Sequence, residues 1–236
     1  MNPIGILIIV STTLFPAYLL FALPDISDRL ALFSQYLGMA ALILMAWGQI
    51  LATRAKGVET VFGGLDRVYV LHKWAGICAM VALLVHDTVD ADMDGLGRET
   101  ALNDLAETMG ELSLYGLLVL VVISVATFIP YHLWKWTHKA MGALFIAGAF
   151  HFVFILKPFA MGDPVGLYTG LFCLAGAIAY LCTLLPKRFR ASRRYEITAI
   201  EDAGRATAIT LHPAGRGLAP KPGQFGLVQF TAPDIT

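Results

Sequence analysis

The chain is 236 residues long, 57% hydrophobic and 14% charged, with a mean hydropathy of +0.69, far more apolar than a soluble domain of this length. Its 17 basic and 17 acidic residues balance, but the charges are segregated along the sequence, so they bear on orientation rather than on nucleic acid, and no nucleic-acid partner is expected. Most of the chain is therefore predicted to lie in a lipid bilayer.

An α-helix needs about 20 mainly apolar residues to cross the hydrocarbon layer. Six windows have that length: 4 to 23, 31 to 53, 68 to 88, 112 to 130, 133 to 156 and 164 to 186. The first lacks the basic start and small-residue cleavage site of a secretion signal, so it reads as a retained span. The connections are short except for 52 to 66 and the acidic 87 to 111, so neighbouring spans are expected to be antiparallel. Cys78, Cys173 and Cys182 fall inside apolar runs without CxxC spacing and read as small core residues.

Basic residues near the ends of spans mark the cytoplasmic side. Under six spans, Arg54, Lys56, Arg67, Lys73, Lys135, Lys139 and the basic run from Lys187 to Arg194 share one side. Arg29, Arg98 and Lys157 fall opposite, among acids that include Asp87, Asp90, Glu107 and Glu111. The expectation is an integral protein of the cell membrane (plasma or inner) with both termini cytoplasmic.

At Pro186 the pattern changes, and from Tyr195 short alternating runs, YEITAI and ATAITLH, are separated by the turn signals DAG and PAGRG. With the final PKPGQFGLVQF they predict about three strands, too few for a closed domain, so this β segment looks truncated at Thr236. The fold class expected is an all-α membrane protein, a six-helix bundle with a short C-terminal β segment. The boundary falls between 1–188 and 189–236.

Four of the six histidines sit where haem iron needs them. An iron with two axial imidazoles takes one from each of two facing helices at one depth, and a bilayer about 30 Å thick has room for two such levels. His72 and His86, in the third window, are 14 residues apart, about 21 Å along a helix and roughly 40° from eclipsed. His138 and His151, in the fifth, are 13 apart, about 20 Å of rise. Both windows run outward, so depth pairs His72 with His138 (inner haem) and His86 with His151 (outer haem) as axial ligands. Thirteen residues of ideal helix turn the second histidine roughly 140° from the first. A tightened turn, a kink near Gly142 or Gly148, or two haem planes turned relative to one another is therefore expected. His132, beside Tyr131 and Trp134, reads as interfacial, and His212 lies in a predicted strand.

The two spacings, with HKWAG around His72 and THKAMG around His138, resemble the ferric reductase and NADPH oxidase superfamily over nearly the whole chain. The resemblance implies two b-type haems in residues 1–188, and an FR-type FAD-binding β-barrel that begins at 189–236. PKPGQFGLVQF is similar to a late strand of that barrel. FAD and a nucleotide-binding domain are then expected in a continuation of the chain. NAD(P)H would serve as the donor, and a small external acceptor, ferric chelate or oxygen, would take the electrons. By the same resemblance Arg29 matches the arginine that lines the acceptor pocket at the outer haem. Asp90 stands where the oxidases carry a further histidine.

By resemblance to a subunit of the methionine sulfoxide reductase system, an alternative is a haem-binding subunit fed by quinol or by a separate flavoprotein. A third reading, from another class, is a transporter or structural bundle whose histidines conduct protons or bind a metal ion. Metal ligands converge on one point, whereas these two levels are expected to lie about 20 Å apart.

Overall fold

A computed structural model of the chain describes residues 3–23, 28–89, 100–126, 128–185, 193–219 and 228–231. Two compact units appear, Met1–Thr183 and Leu184–Thr236. The first holds the helices α1 (Pro3–Phe21), α2 (Arg29–Ala52), α3 (Lys56–Phe62), α4 (Leu65–Thr88), α5 (Asn103–Val125) and α6 (Tyr131–Phe154), with α7 (Pro164–Leu184) closing the series.

Five of these, α1, α2, α4, α5 and α7, are long and apolar enough to cross a membrane. The sixth expected span, α6, has 24 residues but carries Lys135, Lys139 and three histidines, and it falls short of the other five in apolarity. Large apolar side chains such as Leu7, Val81, Val122 and Leu171 stand exposed on the outside of the helices, as a lipid-facing surface requires.

Three local differences from the sequence reading have physical causes. The connection 52 to 66 contains a helix, α3, ended by Gly63 and Gly64 at φ 92° and 102°, a left-handed region that glycine enters without steric cost. Next, α5 starts at Asn103, nine residues before the apolar window. Its first turns hold Asp104 and Glu107, which hydropathy rejects but a helix N-terminus favours. Finally, α6 is uninterrupted α-helix between His138 and His151, so the expected tightened turn is absent.

In the packing of the bundle α2 is central, with 56% of its span buried. One apolar cluster joins Leu32, Met39, Leu42 and Ala46 of α2 to Leu20 of α1, Phe145 and Phe152 of α6 and Cys173 of α7. A second joins Leu44 and Leu51 of α2 to Ile9 of α1, Phe62 of α3 and Val68, Leu71 and Ala75 of α4. Pro16 lies inside α1 and has no N–H to give the carbonyl four residues back. That carbonyl, of Thr12, instead accepts from the Tyr168 hydroxyl at 2.9 Å, and the Trp47 indole donates to the Thr12 hydroxyl at 2.9 Å. These bonds tie α1 to α7 and α2 in a medium where an unpaired backbone group costs several kcal/mol.

The helices pair off, α2 against α4 and α5 against α6, with lesser contact between α2 and α6. Each pair contains one of the two histidine-bearing helices.

The second unit is an antiparallel hairpin of β1 (Tyr195–Asp202) and β2 (Thr207–Pro213), with an irregularity between Ile197 and Ala199. Gly204, at φ 80°, makes the turn. Both predicted runs are thus strands. Of the third, residues 220–227 lie outside the described residues, and 228–231 are not in a strand. Among the described residues the sheet has two strands.

Candidate functional site: two levels of paired histidines

On each of the four histidines of α4 and α6 singled out above, one ring nitrogen is held by a neighbouring helix. On α4, His72 donates from Nδ1 to the Gly48 carbonyl of α2 at 3.0 Å, and His86 from Nδ1 to the Ser34 carbonyl, also of α2, at 2.9 Å. The Ser34 hydroxyl lies 2.9 Å from the same Nδ1 and donates to the His86 carbonyl at 3.3 Å. On α6, His151 donates from Nδ1 to the Ala106 carbonyl of α5 at 2.8 Å, and His138 has Nδ1 3.3 Å from the Ser124 hydroxyl of α5.

A carbonyl oxygen can only accept, so His72, His86 and His151 carry their proton on Nδ1 and leave the Nε2 lone pair free. No described residue hydrogen-bonds to Nε2 of any of the four. A ring anchored through one nitrogen and open at the other has the form of a metal-ligating histidine.

The two levels differ in how close the rings come. At one level the His72 and His138 ring centroids are 5.9 Å apart, with 61° between the planes. Two imidazoles on opposite sides of one metal atom, each nitrogen about 2 Å from it, bring their ring centres to about this separation. At the other level His86 and His151 line a single cavity of about 680 Å³ between α2, α4, α5 and α6.

Glycines give these rings their room. A Cβ at Gly38 would come within 3.1 Å of His86 Nε2, and one at Gly110 within 2.5 Å of His151 Nδ1. Among the described residues no three His, Cys, Asp or Glu side chains gather as a bare metal ion would need. The histidines come in twos, which suits a group whose own macrocycle supplies the remaining ligands. On donor chemistry these residues fit a bis-imidazole haem at each level, with the cavity as further support at the His86 and His151 level and the ring separation at the His72 and His138 level.

Charge differs between the two levels. Asp87, Glu107 and Glu111 line the His86 and His151 cavity, together with Gln35 and Thr88. Lys157, 8% exposed, donates to the carbonyls of Val153 at 2.9 Å and Ile155 at 3.1 Å. It thereby closes the C-terminal end of α6, where the helix dipole favours a cation. Burial pushes its ammonium below the usual lysine range. Near the His72 and His138 level the cations lie over aromatic rings: Arg54 over Tyr69 at 5.5 Å, Lys73 over Trp74 at 5.6 Å and Lys139 over Trp136 at 5.1 Å.

Arg29 opens α2 behind the N-cap Asp28. It lines a separate pocket of about 200 Å³ with Leu20, Phe21, Phe33 and Tyr36, and it is not among the residues around His86 and His151. Asp90 lies outside the described residues. Phe145 is buried against Gly176, and Trp74 is exposed. The sequence reading missed Ser34, Ser124 and Gly110, for which no spacing signal exists, since they matter only through the histidines that their helices face.

An apolar helical bundle with five helices long and apolar enough to cross a bilayer is the architecture of an integral membrane protein. Residues 37–149 match the family described as ferric reductase like transmembrane component. The match takes in His72, His86 and His138 and ends two residues before His151. A domain of this kind implies transmembrane electron transfer, and hence an oxidoreductase. Comparison with curated proteins gives no match.

Proposed function

We infer that the chain carries electrons across the membrane through two b-type haems, one held by His72 and His138 and the other by His86 and His151. The observation that supports this most is the anchoring of Nδ1 of His72, His86 and His151 on backbone carbonyls of α2 and α5, which leaves their Nε2 lone pairs free, with His138 facing His72 at 5.9 Å between ring centroids.

A bound b-type haem supplies a one-electron ferric/ferrous couple; everything else falls to the protein. Gly48, Ser34, Ala106 and Ser124 fix the tautomers and ring directions, and by accepting from Nδ1 they make the ligands more basic. The apolar walls keep water from the electron path. With two imidazoles committed to each iron, an acceptor would be reduced beside the outer level without coordinating there.

In this reading α6 is the sixth span, with both termini cytoplasmic as the positive-inside effect requires. The donor would be NAD(P)H, through FAD in a cytoplasmic flavin- and nucleotide-binding domain. His72 and His138 would hold the haem that receives electrons on the inner side, and His86 and His151 the haem that would pass them to an external acceptor, ferric chelate or oxygen. The hairpin β1–β2 after α7 supports an attached flavin domain over a separate donor such as quinol, since a subunit fed from outside needs no sheet of its own.

Liposomes carrying the protein, loaded with dithionite and placed in impermeant ferricyanide, test the transfer. Reduction outside is expected to run well above protein-free vesicles and to fall to their rate with His151→Ala. Equal rates with and without the native protein would contradict it.

A further inference from the structure

The four ligand rings are not anchored alike. Three rest on backbone carbonyls, which no substitution removes. Among the described residues His138 has only side chains on its Nδ1 and ring face, with no backbone carbonyl.

Its Nδ1 faces the Ser124 hydroxyl at 3.3 Å, the longest of the four anchoring contacts, and one face of its ring is covered by the Trp134 indole, with 4.8 Å between centroids and 12° between planes. Trp134 is itself fixed. It donates from Nε1 to the Ser124 carbonyl at 3.3 Å and stacks on Tyr131 at 5.7 Å and 20°. Trp134 and His138 are four residues apart on α6, the spacing that brings side chains over one another on a helix. Ser124 stands in the last turn of α5, so one residue grips both rings, the indole by its carbonyl and the imidazole by its hydroxyl.

The geometry points to Trp134 and Ser124 as positioning residues that set the plane and basicity of His138, and through it the electronic character of the inner haem. This rests on the haem reading above. With Nε2 committed to iron, Nδ1 keeps its proton and donates it to Ser124 Oγ. Loss of that acceptor makes the ligand less basic, which favours ferrous over ferric iron. The stacked indole leaves the imidazole one plane, 61° from that of His72. The angle between axial imidazole planes governs the splitting of the iron d orbitals, and so the spread of g values in low-spin ferric EPR.

The experiment uses purified full-length chain with its bound haem, by EPR of the oxidised form and by redox titration. Trp134→Leu is expected to alter the g values of one of two low-spin signals, the one lost in His138→Ala, while Trp134→Phe keeps them near native. Ser124→Ala is expected to move the midpoint of that same haem upward by up to about tenfold in the reduction equilibrium, or about 59 mV for one electron, and Ser124→Thr to restore it. Should Trp134→Leu lose the inner haem outright, Ser124→Ala, which removes a single oxygen, decides.

Both signals and both midpoints unchanged, with two haems bound, would overturn the assignment and leave the haem reading intact. Native protein without haem would sink both.

Discussion

A buried imidazole in lipid needs partners for both nitrogens. At His72, His86 and His151 the backbone of a neighbouring helix provides one, and nothing described provides the other. That asymmetry is the content of the site. The histidines could be read from the sequence because their spacing encodes depth. Their anchors could not, because a carbonyl acceptor such as that of Gly48 or Ala106 is available on any residue, and only packing decides which one is used. The assignment by level makes a prediction of its own. His86→Ala is expected to remove about half of the bound haem and leave the spectrum of the inner one. Loss of both haems, or of neither, in pigment assays on correctly inserted protein would break the pairing.

The helices show where hydropathy serves and where it fails. It located α1, α2, α4 and α7 closely, since these helices are apolar along nearly their whole length. It placed the start of α5 too late because Asp104, Glu107 and Glu111 sit on the first turns of a real helix. It leaves α6 short of the apolarity of the other spans because of His138, Lys139 and His151, two of which are the ligand candidates themselves. Helix α5 reaches beyond its apolar window to serve α6. Asn103 accepts from the Leu156 backbone N–H at 2.9 Å, and the Thr100 hydroxyl just before α5 donates to the Phe154 carbonyl at 2.7 Å. Gly110 follows in the same helix, pressed against His151. Gly110→Ala is therefore expected to push that ring aside, at about 1–3 kcal/mol of overpacking, and to lower outer-haem occupancy. Gly76→Ala, on α4 with open space around it, serves as the control and is expected to keep both haems. Equal occupancy in the two variants would show that His151 does not need the space at Gly110.

Taken together, α2 with α4 and α5 with α6 form two halves, each bringing one histidine-bearing helix and the helix that anchors its rings. Neither half completes a level alone, so the cofactors would join the halves, and bundle stability should depend on them by mass action. Haem-depleted protein is expected to melt several degrees below the loaded form, and identical melting would argue for a bundle that holds together without cofactor. The hairpin unit was legible as alternation, YEITAI against ATAITLH, whereas the partners of its exposed faces are not written in those two strands. The central claim is that paired imidazoles hold two irons in this bundle. The most direct measurement is the haem content and spin state of the purified protein, by pyridine haemochrome and reduced-minus-oxidised spectra. The account predicts two b-type haems per chain, low-spin in both oxidation states. A single haem, a high-spin spectrum or haem-free protein of full stability would contradict it.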